Sequence, residues 1–304
     1  SDASFLHLSP MLAAVTNIDA DHLETYGGDF NRLRETFVEF LQRLPFYGLA
    51  ILCADDAELT RLIPRIGRPI PPYGFAADAD VRVLSHRAAG NGSDFRARLA
   101  DGSEADFHLN LPGRHNVQNA LVALVIGQEL GADVAAMARA LKRFEGVGRR
   151  CEHHGRLRVG RVEFDLVDDY GHHPRELAAT FEAMRSAYPG RRLVVAFQPH
   201  RYSRTRDCFD DFSAVLSGVD ALVMTEVYAA GETPIEGADA RALARSIRAR
   251  EQVEPVLVDR VSGIEAALLP MLRNDDVVLT LGAGDIGGFA PLLAQQYRIQ
   301  GGPA

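Results

Sequence analysis

The densest group of reactive side chains lies at residues 168–174, where the sequence is DDYGHHP. It places Asp168, Tyr170 and His172 between an apolar strand pattern and a helix that Pro174 would begin. Aspartate and histidine are good metal ligands, so one hypothesis is a metallohydrolase. The spacing matches none of the usual zinc signatures, which argues against that hypothesis. A purely structural role for the segment is the alternative.

Residues 200–206, with the sequence HRYSRTR, hold three arginines and His200 just before a predicted helix. The N-terminus of a helix favours anions, and an arginine fork binds a carboxylate or phosphate through two hydrogen bonds. We therefore expect Arg201, Arg204 and their neighbours to bind an anionic group.

Two earlier segments have the chemistry to hold a nucleotide or its metal ion. Residues 113–119, GRHNVQN, open a helix on which Asn116 and Asn119 share one face. Their amides can pair with a purine edge, and capping of the helix by Asn116 is the alternative. Residues 16–22, TNIDADH, end an apolar strand pattern. Their asparagine, two aspartates and His22 suit a hard metal ion or a turn with a capping aspartate.

Glycine accompanies two further motifs. Residues 146–150, GVGRR, put Arg149 and its neighbour after flexible glycines, so the pair either reaches a polyphosphate from a hinge or belongs to a solvated linker. Residues 282–287, GAGDIG, satisfy G-x-G-x-x-G but follow the last predicted strand rather than the first, so a dinucleotide-binding dehydrogenase is disfavoured. We expect these glycines to let the backbone approach an anion or pack tightly.

The elements around these motifs indicate two α/β regions. From about residue 149, strands and helices alternate, which predicts a doubly wound, mostly parallel sheet with its polar segments at one edge. Strands are predicted there at 162–167, 193–197, 221–225, 255–258 and 277–281, with helices at 174–187, 206–217, 239–250, 261–272 and 286–297. In the first region, strands are predicted at 12–18, 51–53, 81–84, 95–99 and 105–109, helices at 30–44, 115–131 and 133–144, and a loop at 64–74.

Composition excludes several classes of protein. The net charge of −8 over 304 residues argues against nucleic-acid binding. Lys142 is the only lysine and lies in a helical pattern, so the chain contains no Walker A loop. The longest apolar run, residues 120–126, is far below the roughly 18 residues of a membrane span. Cys53, Cys151 and Cys208 are odd in number and widely spaced, which fits reduced thiols in the cytoplasm.

Taken in order, the motifs resemble those of the Mur ligases, ATP-dependent enzymes that add amino acids to the peptidoglycan precursor. The matching segments are residues 2–5 (DASF), 16–18 (TNI) with Asp21 and His22, 113–116 (GRHN) with Asn119, 148–150 (GRR), 168–174 (DDYGHHP) and 197–201 (FQPHR). The resemblance runs almost end to end. It favours the member that joins L-alanine to the carboxylate of UDP-N-acetylmuramate, with the tripeptide-recycling muramate ligase as the nearest competitor.

The resemblance implies specific roles, with ATP and Mg²⁺ as cofactors. His22 would ligate magnesium, Asn116 and Asn119 would hold adenine, and Arg149 would contact the ATP phosphates. The residues implied in positioning the nucleotide from the last domain are Asp168, Tyr170 and His172. The residues implied at the carboxylate and phosphate groups of the reacting centre are His200, Arg201 and Arg204. Sister ligases carry a carbamylated lysine where this sequence has Phe37, which cannot ligate a metal.

The resemblance also implies the domain organisation. Residues 1–148 would be the C-terminal half of a P-loop-type ATPase domain, and 149–304 a Rossmann-like doubly wound α/β ligase domain. The UDP-sugar domain and the Walker A loop would lie upstream, so we expect the isolated chain not to turn over. A non-catalytic nucleotide-binding module is the alternative from a different class of protein. No membrane or nucleic-acid partner is expected.

Overall fold

The computed structural model describes residues 3–20 and 23–299. The chain folds into two compact units. The first unit comprises Ser1–Asn110 and Arg114–Phe144, and the second comprises Leu111–Gly113 and Glu145–Ala304. None of the helices in the described parts of the chain is long and apolar enough to cross a membrane.

The first unit is built on a mixed sheet with the strand order β1-β2-β3-β4-β5-β6. Its strands are β1 (Leu12–Val15), β2 (Leu49–Cys53), β3 (Pro72–Gly74), β4 (Val81–Ala89), β5 (Gly92–Arg98) and β6 (Glu104–Leu109). Its α-helices are α1 (Phe30–Gln42), α2 (Ala57–Ile66), α3 (Arg114–Glu129) and α4 (Val134–Arg143), and short 3₁₀ helices occupy Ser4–His7 and Leu23–Tyr26. Strands β1 to β4 run parallel, whereas β5 and β6 pair antiparallel.

Aspartate side chains begin three of these helices. Asp29, Asp56 and Asp133 each accept a hydrogen bond from a backbone N–H in the first turn of α1, α2 and α4 respectively. The prediction of a loop over residues 64–74 is wrong at both ends, and only residues 67–71 lie outside a helix or strand. Pro64 lies inside α2 near its end, which comes at Gly67 in a left-handed conformation, and β3 follows. Neither the end of α2 nor β3 was predicted, because the segment is rich in proline, which is typical of loops.

The second unit contains the predicted doubly wound sheet, and the predicted fold class is confirmed. Its strands are β7 (Glu152–Val159), β8 (Val162–Asp169), β9 (Leu193–Phe197), β10 (Ala221–Thr225), β11 (Pro255–Val258) and β12 (Asp276–Leu281). Its α-helices are α5 (Pro174–Ala187), α6 (Tyr202–Asp207), α7 (Phe209–Leu216), α8 (Ala240–Arg248), α9 (Ile264–Leu268) and α10 (Phe289–Tyr297), with 3₁₀ turns at Val261–Gly263, Leu269–Met271 and Asp285–Gly288. The strand order is β11-β10-β9-β12-β8-β7, parallel except for β7.

Alternate residues of the central strands enter two separate hydrophobic clusters, one on each face of the sheet. Val195 and Leu279 pack in the cluster that includes side chains of α5, α7 and α8. Val194 and Val278 pack in the cluster that includes side chains of α9 and α10. Helices therefore cover both faces, and ligand access is left to the strand ends.

Three features of this unit differ from the sequence prediction. The helix predicted at 206–217 is two helices, because Cys208 adopts a non-helical conformation between α6 and α7. The helix predicted at 261–272 is α9 flanked by two 3₁₀ turns. Strand β7 was not predicted, because its charged sequence and a bulge between His153 and Gly155 interrupt the alternation of apolar residues.

Replacing Leu279 in β12 by alanine should lower the free energy of unfolding of the second unit by about 2–5 kcal/mol, because a fully buried side chain leaves a cavity. Urea denaturation followed by circular dichroism measures the change. The control is Leu292→Ala on α10, where the side chain is 65% exposed and the expected change is within about 0.5 kcal/mol. Equal effects of the two substitutions would contradict the core described above.

Candidate functional site

The carboxyl ends of four parallel strands lie level at one edge of the second sheet. Leu281 of β12 is paired with Asp169 of β8 on one side and with Phe197 of β9 on the other, and Phe197 is paired with Met224 of β10. Strands β8, β9 and β12 are each followed at this edge by one of the polar segments singled out in the sequence, and β10 is followed by Tyr228. The register of the sheet therefore brings together segments that are far apart along the chain.

Asp168 and Arg149 form an ion pair at this edge, in which the carboxylate is buried and the guanidinium is part-exposed. Asp168 is 1% exposed, and its Oδ2 accepts a hydrogen bond from Arg149 Nε at 2.8 Å. Its other oxygen accepts a short hydrogen bond from the hydroxyl of Thr280. Arg149 also donates from Nη2 to the carbonyl of Gly282 at 2.5 Å. Two predicted nucleotide-binding residues are therefore in direct contact, and Asp168 fixes the orientation of the guanidinium.

A row of aromatic rings continues from this ion pair. The guanidinium of Arg149 lies over the ring of Tyr170, 5.2 Å from its centroid. Tyr170 contacts His172 edge-on at 5.2 Å, and His172 lies 5.7 Å from His200. His200 in turn stacks on Tyr228 at 5.4 Å with an interplanar angle of 11°. Residues from the ends of β8, β9 and β10 thus form one continuous surface.

Hydrogen bonds hold the two ends of this row. Glu176, in the first turn of α5, accepts hydrogen bonds from the backbone N–H groups of His172 and His173 in a capping box. A parallel β-bridge joins His200 to Tyr228, and Tyr228 donates its backbone N–H to the carbonyl of Pro199. The rings are therefore positioned by the backbone as well as by their mutual contacts.

His200 is held in its neutral form. Burial, with the positive charges of Arg204 and neighbouring groups, lowers the pKa of His200 to about 4 from its usual 6.5. Arg204 lies with Nη1 3.3 Å from His200 Nδ1 and donates to the His200 carbonyl at 3.2 Å. Because a guanidinium can only donate, His200 Nδ1 acts there as an acceptor. Arg204 itself is almost fully buried.

Arg201 immediately precedes α6 and has a positive φ of 71°. Its N–H donates to the Tyr228 carbonyl at 2.8 Å, which secures that conformation. Glu232 accepts hydrogen bonds from the backbone N–H and the hydroxyl of Ser203, at 2.9 and 2.6 Å, and lies 3.8 Å from Arg201 Nη1. Glu232 thus anchors the start of α6. Its pKa is lowered by these hydrogen bonds and Arg201, which outweigh the opposing effect of burial.

The glycines at 282–287 allow close packing. Gln198 donates to Asp285 at 2.6 Å and accepts from the N–H of Ile286 at 3.2 Å. A Cβ on Gly284 would collide with Gln198 and Tyr228, and a Cβ on Gly287 would lie 2.5 Å from Arg149 Nη1. Tight packing, one of the two expectations for this segment, therefore accounts for these two glycines.

In the first unit, α3 begins at Arg114 and carries both predicted adenine-binding residues. Asn116 is buried and Asn119 is exposed. Between them, Gln118 donates to Asp55 Oδ2 at 2.6 Å. Asp55 also accepts from the backbone N–H groups of Phe75 and Ala76, so one carboxylate joins the ends of β2 and β3 to the first turns of α3.

The predicted magnesium site is only partly described. His22 and Asp21 lie outside the described residues. Asp19 accepts a hydrogen bond from the N–H of Ala20 at 2.8 Å. Phe37, at the position of the carbamylated lysine in sister ligases, stacks on Phe5 with ring centroids 5.5 Å apart.

Two residues with a positioning role were not predicted. Asp55 follows an apolar strand, and that placement was its only signal in the sequence. Glu232 lies in a segment without a motif, 29 residues after the serine that it binds. Both act by accepting backbone hydrogen bonds, which leave no pattern in a sequence.

Comparison with known proteins identifies the class of protein. The family model described as the Mur ligase middle domain matches residues 2–127, and the model described as the Mur ligase, glutamate ligase domain, matches residues 142–284. A UDP-N-acetylmuramate–L-alanine ligase from Halorhodospira halophila is 57% identical over 302 residues, which are 99% of this chain and 62% of that relative. The chain belongs to the Mur ligase family.

Solved structures share the fold. The UDP-N-acetylmuramate-alanine ligase MurC of Thermotoga maritima has a TM-score of 0.76 at 24% identity, covering 97% of this chain and 61% of that one. The MurF ligase of Thermotoga maritima in complex with ADP has a TM-score of 0.72 at 18% identity, covering 94% of this chain and 62% of that one. The chain thus spans less than two thirds of the length of these proteins.

The His200 imidazole should titrate near pH 4 in the folded chain, measured by the pH dependence of its ring-proton NMR signals. Arg204→Gln should raise this pKa, because one of the positive charges beside the ring is removed. Arg206→Gln is the matched control, since Arg206 is exposed and pairs with Asp207. A midpoint near 6.5 in the unsubstituted chain would contradict the environment described here.

The same pKa sets the direction of a stability change. The folded-state pKa of His200 lies below the unfolded value of 6.5, so the unfolded chain takes up the proton first as the pH falls. The contribution of His200 to the free energy of unfolding is therefore complete above pH 6.5 and declines as the pH falls toward 4. Arg204→Gln should make this decline smaller.

Proposed function

We propose that the chain acts in an ATP-dependent ligase that joins L-alanine to the carboxylate of UDP-N-acetylmuramate during peptidoglycan synthesis in the cytoplasm. Residues 1–148 would be the latter part of its central ATPase domain, and residues 149–304 its C-terminal ligase domain. The 57% identity to a UDP-N-acetylmuramate–L-alanine ligase supports the choice of reaction. The three cysteines are free thiols, which supports a reducing compartment.

The arrangement at the strand ends of the second unit is the observation that carries the proposal. Arg149 and Arg201, both part-exposed, flank the row of rings from Tyr170 to Tyr228. Fixed guanidinium groups suit a reaction whose reactants are a polyphosphate and a carboxylate, because they neutralise charge without reorganising. Neutral His200 adds a polar group without adding a further positive charge.

Residues of each unit are assigned to the nucleotide. We assign adenine to Asn116 and Asn119, and the ATP phosphates to Arg149. Asp168 would keep the Arg149 guanidinium in place, while Tyr170 and His172 position the nucleotide from the second unit. We assign magnesium to His22, and the hydroxyl, amide and carboxylate oxygens of residues 16–19 form a donor set that fits a hard cation. When bound, the ion would neutralise phosphate charge.

The reaction would proceed in two steps. The muramate carboxylate attacks the γ-phosphate of ATP and gives an acyl phosphate and ADP. The amine of L-alanine then attacks the acyl carbon, the amide forms, and phosphate leaves from the tetrahedral intermediate. The protein contributes mainly by positioning reactants and neutralising charge. His200, Arg201 and Arg204 would serve the reacting centre, with the buried Arg204 acting through its contact with His200.

A fusion tests the reaction. We would join the chain to the part of the Halorhodospira halophila relative that the match does not cover. With Mg-ATP and UDP-N-acetylmuramate, this fusion should release phosphate and form the amide with L-alanine faster than with a preformed tripeptide. The isolated chain, which contains no Walker A loop, is the control and should release none. A preference for the tripeptide would identify the recycling ligase, and nucleotide binding without any amide would indicate a non-catalytic module.

A pair of neighbouring glycines tests the role of Arg149 in the same fusion. Gly287→Ala would push the Arg149 guanidinium out of its position, because the new Cβ would lie 2.5 Å from Nη1. The KM for ATP should rise by about tenfold, the equivalent of one charge-assisted hydrogen bond. Gly288→Ala is the matched control, since nothing lies within 4 Å of its added Cβ. An unchanged KM for ATP in both variants would contradict the assignment of Arg149 to the ATP phosphates.

A further inference from the structure

A second cluster of ligating side chains lies beside the Arg149–Asp168 ion pair. Glu152, His154 and Asp168 each offer one atom, and these three atoms lie within 4.8 Å of one another. Glu152 of β7 is paired directly with Asp168 of β8. The three ligand atoms converge, so His154 projects on the side of Glu152 although a bulge in β7 displaces it from the regular alternation. The cluster therefore belongs to one face of the sheet edge.

The imidazole of His154 is the unusual member. Its side chain is 11% exposed, and its buried Nε2 has no hydrogen-bond partner among the residues that the structure describes. The nearest carboxylate atom is Glu152 Oε1, at 4.0 Å, which is beyond hydrogen-bond distance. The bulge between His153 and Gly155 leaves His154 out of the β-ladder, and the His154 side chain points toward Glu152. A buried nitrogen that faces a carboxylate at this distance lies slightly beyond the spacing of two ligands of one ion.

The local charge favours a cation. The carboxylates of Glu152 and Asp168 carry two negative charges, whereas Arg149 supplies one positive charge and a neutral His154 supplies none. Arg149 donates a hydrogen bond from its backbone N–H to Glu152 Oε2 and another from Nε to Asp168 Oδ2. Glu152 Oε1 accepts no hydrogen bond from the described residues and remains beside His154 Nε2. One net negative charge is therefore left at the cluster.

We propose that Glu152, His154 and Asp168 bind one divalent cation of the zinc type. One imidazole and two carboxylates suit Zn²⁺ or Co²⁺ better than Mg²⁺, which prefers oxygen ligands alone. Ligand atoms around a tetrahedral zinc lie about 3.4 Å apart, so the cluster must contract slightly. Glu152, whose side chain is 43% exposed, is free to make that movement. A fourth position stays open to water.

The cluster shares Asp168 with the residues assigned to the nucleotide, but metal binding is measured on the whole chain without ATP, so its test is separate from that of the ligase reaction. The chain is first treated with a chelator, and Zn²⁺ is then measured by equilibrium dialysis and Co²⁺ by its visible absorption. We expect one equivalent of either metal. Glu152→Gln and His154→Ala should each weaken binding by about tenfold or more, since loss of an outer-sphere partner alone has such an effect.

Two histidine variants serve as controls. His153→Ala removes the neighbouring imidazole, which bonds Asp165 instead, and His200→Ala removes a ring from the aromatic row. Both variants should still bind one equivalent of metal per chain. Binding that survives in His154→Ala but is lost in His200→Ala would overturn the proposal, as would absence of binding by the unsubstituted chain at about 100 μM metal, a concentration well above the Kd expected of a built site.

Folding of each variant is checked by far-ultraviolet circular dichroism. If His154→Ala does not fold, Glu152→Gln decides, because that change is isosteric and lies at a part-exposed side chain. In the unsubstituted chain, Zn²⁺ should also shift the Nε2 resonance of His154 and leave that of His153 in place. The reverse pattern would count against the assigned site.

Discussion

The negative charge of Asp168 is almost completely removed from water, and the second unit is organised around its neutralisation. Removing one partner from a buried ion pair typically costs about 3–5 kcal/mol, because the remaining charge is left unsolvated. Here the partner, Arg149, also bonds the carbonyl of Gly282. One guanidinium therefore ties the segment before β7 to the ends of β8 and β12. The orientation of the Tyr170 ring, and with it the row of rings, follows from this contact.

Chemistry and stability occupy different parts of this sheet. The middles of β9, β10 and β12 are buried in the two apolar clusters, which tolerate no charge without loss of packing. In these strands the polar side chains stand at or next to the ends, whereas β8 carries the paired carboxylate of Asp165 at its middle. Parallel strands bring these ends to one edge, so short polar segments from distant parts of the chain meet without a dedicated scaffold.

Much of this arrangement could be predicted from the sequence. Strands β9, β10 and β11 and helix α5 have the predicted bounds, because apolar runs and Pro174 mark their ends. The association of residues 168–172 with His200 followed from the rule that strand ends share an edge. Edge strand β7 was missed because its charged residues and its bulge interrupt the alternation of apolar residues. The break at Cys208 was missed because it leaves the hydrophobic period unchanged. The roles of Asp55 and Glu232 depend on backbone contacts that form only after folding.

Strand β7 also affects how the protein behaves at high concentration. The outer strand of an open sheet presents unpaired backbone groups and can recruit a strand from another molecule. In β7, glutamate, histidine and arginine side chains line the strand, a bulge interrupts its regular edge, and Leu157 is already bridged to Arg298. These features leave little flat edge for a second chain. The bulge that aims His154 therefore also protects the sheet from aggregation.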